Sequence, residues 1–328
     1  MTSMRECAWR NPVRLSELPY CPDVAHRYID INQIGNANMS GIALGIVLVA
    51  AFLHAGWNYL TKKSHHKIVF VWCFLSVTLI LYFPMVLYFW PSTTLTSKGL
   101  YCILASAFLH AFYFWTLSKA YEGGDLSLVY PIARGSMPLF VTFLAIILIH
   151  EKLSGSGISG IILVVFGIYV VHLRSFSRQS FLEPVLALRG GASLWALSTG
   201  VSNGIGSVVD KVGVGIVYPP VYIYLMFVGV WLLLTPFIFY RWRAEVKKEW
   251  QLNTKGILAA GFLVTFTYMS ILFAMRMSPV SYVVAVRNVS IIFSSLFGIH
   301  WLREKHASQK LVGAILVTMG VIFIGFSK

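Results

Sequence analysis

Residues 130–171 read YPIARGSMPLFVTFLAIILIHEKLSGSGISGIILVVFGIYVV, and residues 282–323 read YVVAVRNVSIIFSSLFGIHWLREKHASQKLVGAILVTMGVIF. Each is a pair of apolar runs joined by a Glu-Lys turn. A shift of 153 lays Arg134 on Arg287, Glu151 on Glu304, Lys152 on Lys305, Gly160 on Gly313 and Gly167 on Gly320. The correspondence continues upstream, where a shift of 152 pairs Pro84 with Pro236 and Trp90 with Trp242, and a shift of 149 pairs Lys62 with Lys211. Coincidences in the same order, each at the matching place of a matching run, mark an internal duplication.

The composition agrees with a chain built from such runs. Of 328 residues, 57% are hydrophobic and 12% charged, against roughly 25% charged in soluble globular chains. Apolar runs recur at 41–60, 68–90, 97–118, 127–149, 157–173, 190–209, 220–240, 256–275, 280–301 and 309–326. Runs of about 20 residues, rising 1.5 Å each, cross a hydrocarbon core of about 30 Å. Only helices satisfy every backbone group there within one segment, and GIILVVFGIYVV lacks the alternation of a barrel strand. The fold class expected is all-α integral membrane, with ten transmembrane helices arranged as two inverted five-helix repeats. The inversion follows from the odd number of spans in each unit. The units are 41–174 and 190–326, joined by a linker at 175–189. Inverted repeats place a site near the membrane midplane and allow alternating access. Residues 1–38 hold no apolar run, so they are neither a signal peptide nor a span, and they are expected to be poorly ordered. Either Met1 or Met39 can serve as the start, and Met39 would leave a compact ten-span chain.

The formal net charge is +14, from 26 Lys and Arg against 12 Asp and Glu. Nucleic-acid binding needs a basic face on an aqueous domain, which this chain has no room for, so no nucleic-acid partner is expected. Four cysteines, two in the tail and two in spans, give neither a disulfide framework nor a metal spacing. The chain has no GxxxxGK[ST] loop and no HExxH. No nucleotide, metal or other cofactor is therefore expected, and the protein is read as a non-enzyme.

Two five-helix units, each closing on a Glu-Lys turn and a glycine-spaced final helix, resemble the EamA family of the drug/metabolite transporter superfamily. The stretch HAGWN, His54 to Asn58, is also similar to that family's first helix. The resemblance covers 41–326 and implies a multi-pass secondary transporter in a cell membrane, here read as the bacterial inner membrane. Small multidrug members of the superfamily rely on an acidic residue in the first helix. Span one here contains none, which argues against proton-coupled export of lipophilic cations.

Arg134 and Arg287 are the leading candidates for substrate contact. A guanidinium inside a span costs at least about 2.5–3.5 kcal/mol on insertion scales. No Asp or Glu falls within the ten runs, so an anionic substrate is the natural counter-ion for two planar, permanently charged forks. The other readings are that each arginine pairs with Glu122, Asp125 or helix-end carbonyls, or that it gates. His54, Asn58, His110, Tyr113, Tyr130 and Asn203 are further candidates for substrate binding, and the 149 shift sets His54 on Asn203. Each histidine has three readings: hydrogen-bonded structure, substrate contact or a proton relay. The last arises because histidine is the side chain suited to proton coupling near neutral pH, and proton or exchange coupling is the form of coupling considered. Pro131 and Pro138 are expected to kink span four beside Arg134 and to serve gating. Gly41 with Gly45, and Gly200 with Gly204, are read as close-packing pairs. Glu151 and Glu304, at span ends where an exposed charge costs little, suggest capping or interface pairing. The partners are then a small-molecule substrate and the lipid bilayer. The cargo is a small polar or anionic metabolite, with amino acids or other zwitterions as the alternative. A non-transporting membrane enzyme or structural protein is the rival class.

Fourteen of the 26 basic residues lie in loops 1–2, 3–4, 5–6, 7–8 and 9–10. The positive-inside rule puts these loops in the cytoplasm and both termini outside, whereas the family resemblance implies cytoplasmic termini. A C-terminal reporter scored for cytoplasmic or external activity decides between them, and the charge distribution predicts external activity.

Overall fold

The computed structural model describes residues 38–123, 126–171, 173, 175–186, 191–293 and 307–327, and these contain no strand. The first unit holds α1 (Gly41–Lys63), α2 (Lys67–Phe89), α3 (Ser97–Gly123), α4 (Leu126–Leu148) and α5 (Gly155–Val171). A short helix α6 (Arg178–Leu186) lies in the expected linker. The second unit holds α7 (Gly191–Ile216), α8 (Pro219–Arg241), α9 (Arg243–Met277), α10 (Val280–Arg287) and α11 (Ala307–Gly325).

Local chemistry sets several boundaries. Ser40 caps α1 by accepting from the Ala43 amide at 3.1 Å. Pro219 and Pro220 open α8, where a missing amide hydrogen costs nothing. By length and composition α1, α2, α3, α8, α9 and α11 can each cross a membrane, and shorter apolar helices run over Ile132–Leu148, Gly155–Val171 and Val280–Phe293. Helix α7, with 26 residues, is long enough but carries a row of Ser, Thr, Asn, Asp and Lys side chains. It packs between α3 and α4.

The two units interlock more than they stand apart. Helix α1 packs on α9 and α10 of the second unit, and its counterpart α7 packs on α3 and α4 of the first. Helices α5 and α11 pack on each other, and here the geometry reports symmetry directly. The sequence pairs Gly160 with Gly313 and Gly167 with Gly320. In space Gly160 meets Gly320, and Gly167 meets Gly313. A Cβ on Gly160 would lie 2.6 Å from the Gly320 carbonyl oxygen, and one on Gly313 would lie 2.7 Å from the Gly167 carbonyl oxygen. Such a crosswise exchange marks an antiparallel, two-fold-related contact, and only glycine permits backbones this close. Outward faces are apolar, with Ile42, Ile80, Tyr101, Phe143 and Leu311 exposed, while Arg134, Asp210, Lys211, Glu249 and Arg287 are buried. A surface this apolar over a polar interior is what lipid contact requires.

Several expectations need correction. Gly41 and Gly45 face open space, with no atom within 4 Å of an added Cβ, so they are not a packing pair; Gly200 and Gly204 do abut α4, at Ala133, Ser136 and Phe140. Span six does not stop at 209. Helix α7 continues to Ile216 because Asp210 and Lys211, which end the apolar run, find partners inside the protein. Span eight is the second part of the longer α9, whose backbone leaves helical geometry at Asn253 (φ −130°, ψ 24°). Span nine breaks after eight residues, since α10 ends at Arg287 and Asn288–Val289 form a turn before helix resumes at 290–293. Glu151 is buried, not exposed. The tail to residue 37, Asp125, Trp301, Glu304 and Lys305 lie outside the described residues.

The α9–α10 junction explains that burial. Lys211 on α7 donates from Nζ to the Met275 carbonyl and to the Ser278 carbonyl at 3.0 Å, so a cation closes the C-terminus of α9. The Glu151 carboxylate accepts from the Val280 amide at 2.6 Å, the Ser281 amide at 3.2 Å and the Ser281 hydroxyl at 2.6 Å, so an anion closes the N-terminus of α10. Each charge meets the helix end of opposite partial charge. Glu249 does the same for α2: it accepts from the His65 and His66 amides at 3.3 and 2.7 Å, and from Asn253 Nδ2 at 2.6 Å beside the α9 kink. Burial holds the His66 imidazole below the ordinary histidine range, against the pull of Glu245 and Glu249.

Two outcomes follow from this packing. Gly160→Leu is expected to lower the thermal unfolding midpoint in detergent strongly, while Gly41→Ala leaves it unchanged or raises it; equal effects would sink the crosswise contact. Glu151→Gln is expected to cost about 2 kcal/mol of unfolding free energy, because it weakens a cap on buried amides. Denaturant titration of the reconstituted protein measures this, and an unchanged midpoint would refute the cap.

Candidate functional site

Helices α4 and α10 pack on each other, and each packs on the first helix of the opposite unit, α7 and α1 respectively. They carry the paired arginines. Arg134 is 5% exposed and Arg287 2%. Arg287 Nη2 contacts the Met137 sulfur at 3.3 Å, and its Cζ lies over the Tyr268 ring, 5.9 Å from the centroid. Its Nε is buried without a partner. Among the described residues no carboxylate oxygen comes within 4.0 Å of the Arg287 nitrogens. A buried guanidinium in this state has a donor, at Nε, that the protein leaves unsatisfied.

His54 on α1 lies in the field of both arginines. Trp57 Nε1 donates to His54 Nδ1 at 3.1 Å. Because an indole nitrogen can only donate, Nδ1 must offer a lone pair; His54 is therefore neutral, with its proton on Nε2. That Nε2 is buried and has no partner, and His54 is 4% exposed. A second donor is thus left waiting near the arginine pair. Asn288, in the turn that ends α10, is also buried with neither side-chain polar atom partnered, and Asn203 Oδ1 on α7 is partnerless too.

A second polar cluster adjoins this one through Tyr268 on α9. Its hydroxyl is 3.0 Å from His110 Nε2, and its phenol feels Arg287, Tyr113, Asp210 and Arg134. Asp210 on α7, 2% exposed, accepts at Oδ1 from the Ser106 hydroxyl at 2.5 Å and from the Tyr222 hydroxyl at 2.9 Å. Its Oδ2 is 3.9 Å from His110 Nε2. Asp210 lies one residue beyond the sixth apolar run, in the continuation of α7, and is buried among other helices. The hydropathy run ends there, but α3 supplies the Ser106 hydroxyl and the His110 imidazole and α8 supplies the Tyr222 hydroxyl, so the carboxylate has partners inside the protein.

His110, Tyr113, Arg134 and Arg287 thus lie about Tyr268, and His54 lies in the field of both arginines. The structure does not gather every candidate. Asn58 spends its amide on the His54 carbonyl of its own helix, 2.8 Å away. Asn203 is buried on α7 with its Oδ1 unpartnered. Pro138 sits in α4, which runs without interruption from Leu126 to Leu148. The side chains of Glu122, Tyr130 and Pro131 lie outside the described residues. Asp210, Tyr222, Tyr268, Ser106 and Asn288 escaped the sequence reading. One signal was available: the 149 shift that sets Lys211 on Lys62 sets Asp210 on Thr61, so the acid is an asymmetry between the repeats. The stretch GVSNG, Gly200–Gly204, has the spacing of a nucleophile elbow, which requires a strand-to-helix turn. Here it lies inside α7, and Ser202 donates to the Thr199 carbonyl at 3.1 Å. Among the described residues no group of three or more His, Cys, Asp or Glu is placed to hold a metal ion.

Comparison with known proteins agrees with the architecture. A crystal structure described as "Crystal structure of protein" superposes with a TM-score of 0.62 at 14% identity, covering 86% of this chain and 94% of that one. At that identity it shows a shared fold alone. No curated protein matches the chain. The model of the EamA-like transporter family matches twice, over 40–173 and 191–326, the two repeats that the glycine contact relates. The chain belongs to the EamA-like transporter family and is a multi-pass membrane protein built from two EamA repeats.

Proposed function

We propose that this protein is a secondary transporter that moves a small polar or anionic metabolite by alternating access between two inverted five-helix repeats, ten spans in all. The observation that carries the reading is Arg287: a permanent cation, buried between the units, with an unfilled donor and no carboxylate among the described residues to answer it. Arg134 stands at the repeat-related position, and His54 Nε2 adds a neutral donor in the field of both. Two guanidinium forks and an imidazole N–H suit a carboxylate, sulfonate or phosphonate, which accepts in a plane and neutralises charge. The antiparallel crossing of α5 and α11 supports an axis about which the halves can exchange.

A zwitterionic cargo such as an amino acid is the second reading. It is favoured by the partnerless oxygens of Asn203 and Asn288, which could receive an ammonium group. A transport panel in sealed proteoliposomes, matched for size across anions, zwitterions and neutral polyols, separates the two. For the transported substrate, Arg287→Gln and Arg134→Gln are each expected to cut the rate about 10- to 100-fold, the worth of one charge-assisted pair. Folded variants that transport normally would refute the clamp.

A further inference from the structure

We infer that His110 and Asp210 form a proton-binding site, and that its occupancy sets the direction in which the Tyr268 hydroxyl donates toward the Arg287 side. The assignment starts from tautomers. His110 Nδ1 is 2.9 Å from the Ser106 carbonyl oxygen, which can only accept, so Nδ1 carries a hydrogen. The Ser106 hydroxyl also lies 3.2 Å from Nδ1, but its own hydrogen goes to Asp210 Oδ1. In the neutral ring Nε2 is then a lone pair, and its neighbour at 3.0 Å is the Tyr268 hydroxyl. A phenol has one hydrogen, so with His110 neutral that hydrogen is committed to Nε2.

Adding a proton at Nε2 reverses the bond. Nε2 now donates to the Tyr268 oxygen, with the Asp210 carboxylate 3.9 Å away to balance the new charge. The Tyr268 hydrogen is released to point elsewhere. The proton comes from water and returns to it, and no other bond is made or broken. The groups that face this pair come from each helix around it. Tyr222 of α8 fixes the carboxylate. Cys102 of α3 lies in the field of Asp210, and Tyr113, Arg134 and Arg287 lie in the field of Tyr268. Lys211 follows Asp210 in the chain but binds the Met275 and Ser278 carbonyls, so it does not neutralise its neighbour. A proton at His110 thus adds positive charge and a free hydroxyl donor beside Arg287. Both changes strengthen the hold on an anion there. This coupling half of the inference rests on the anion reading above; the proton site itself does not.

Histidine ¹⁵N resonances of the full chain in nanodiscs, with His110→Gln to assign the signal, test the site directly. Between about pH 8 and pH 5 the His110 Nε2 resonance is expected to move from lone-pair to N–H character, and the change is expected to be smaller in Asp210→Asn. A His110 signal that stays neutral across that range, or one that titrates identically in folded Asp210→Asn, overturns the proposal. If Asp210→Asn does not fold, the wild-type titration decides alone. The coupling is read with methanesulfonate, whose charge is constant over this range, against chloride at equal ionic strength. Its thermal stabilisation is expected to be larger at the acidic end, and the difference is expected to vanish in His110→Gln and Tyr268→Phe. Equal stabilisation at both ends in the wild type refutes the coupling. Stabilisation at neither end counts against the anion reading and leaves the ¹⁵N titration to judge the proton site.

Discussion

The position of Arg287 depends on the two charges that close the α9–α10 junction. Helix α10 is only eight residues long, too short to be stable by itself, and it ends in the turn at Asn288. Its first turn is fixed by the Glu151 carboxylate from the first unit, and the end of α9 just before it is fixed by Lys211 from α7. A break in a membrane helix exposes amides and carbonyls that lipid cannot satisfy. Here an anion takes the amides and a cation takes the carbonyls. The break thereby becomes a fixed point, and the guanidinium two turns along is delivered to the interface between the units.

That arrangement also explains why so many polar groups are tolerated inside a chain with so little charge. Each buried ion is given partners from a different helix: Asp210 from α3 and α8, Glu151 from α10, Lys211 from the α9 C-terminus. An unpaired buried polar group costs about 1–3 kcal/mol, so the groups left without partners stand out. His54 Nε2, Arg287 Nε and the Asn288 side chain are such groups. His54 lies in the field of both arginines, and Asn288 directly follows Arg287. Orphaned donors grouped in this way are more readily understood as places for a ligand than as errors of packing.

Much of the fold was legible in the sequence. The duplicated Glu-Lys turn and glycine spacing gave the two repeats, and apolar runs located most helices, because the cost of exposing backbone to lipid forces helix wherever the chain is apolar for long enough. The arginines were legible too, since charge inside such a run is costly and conspicuous. Hydropathy misplaced the ends of α7 and α9, and it hid the break that ends α10, because it records what a side chain would pay in lipid and not which neighbours it meets.

Sequence alone therefore determined that the protein is a duplicated, helical membrane chain with one arginine in the same place in each half. Only the tertiary structure decided what surrounds them. Asp210 became an interior carboxylate once Ser106, Tyr222 and His110 arrived from other helices, and Glu151 became a helix cap once Val280 and Ser281 were brought to it. Those contacts join residues about 100 or more positions apart in most cases, and a local window carries no record of such partners.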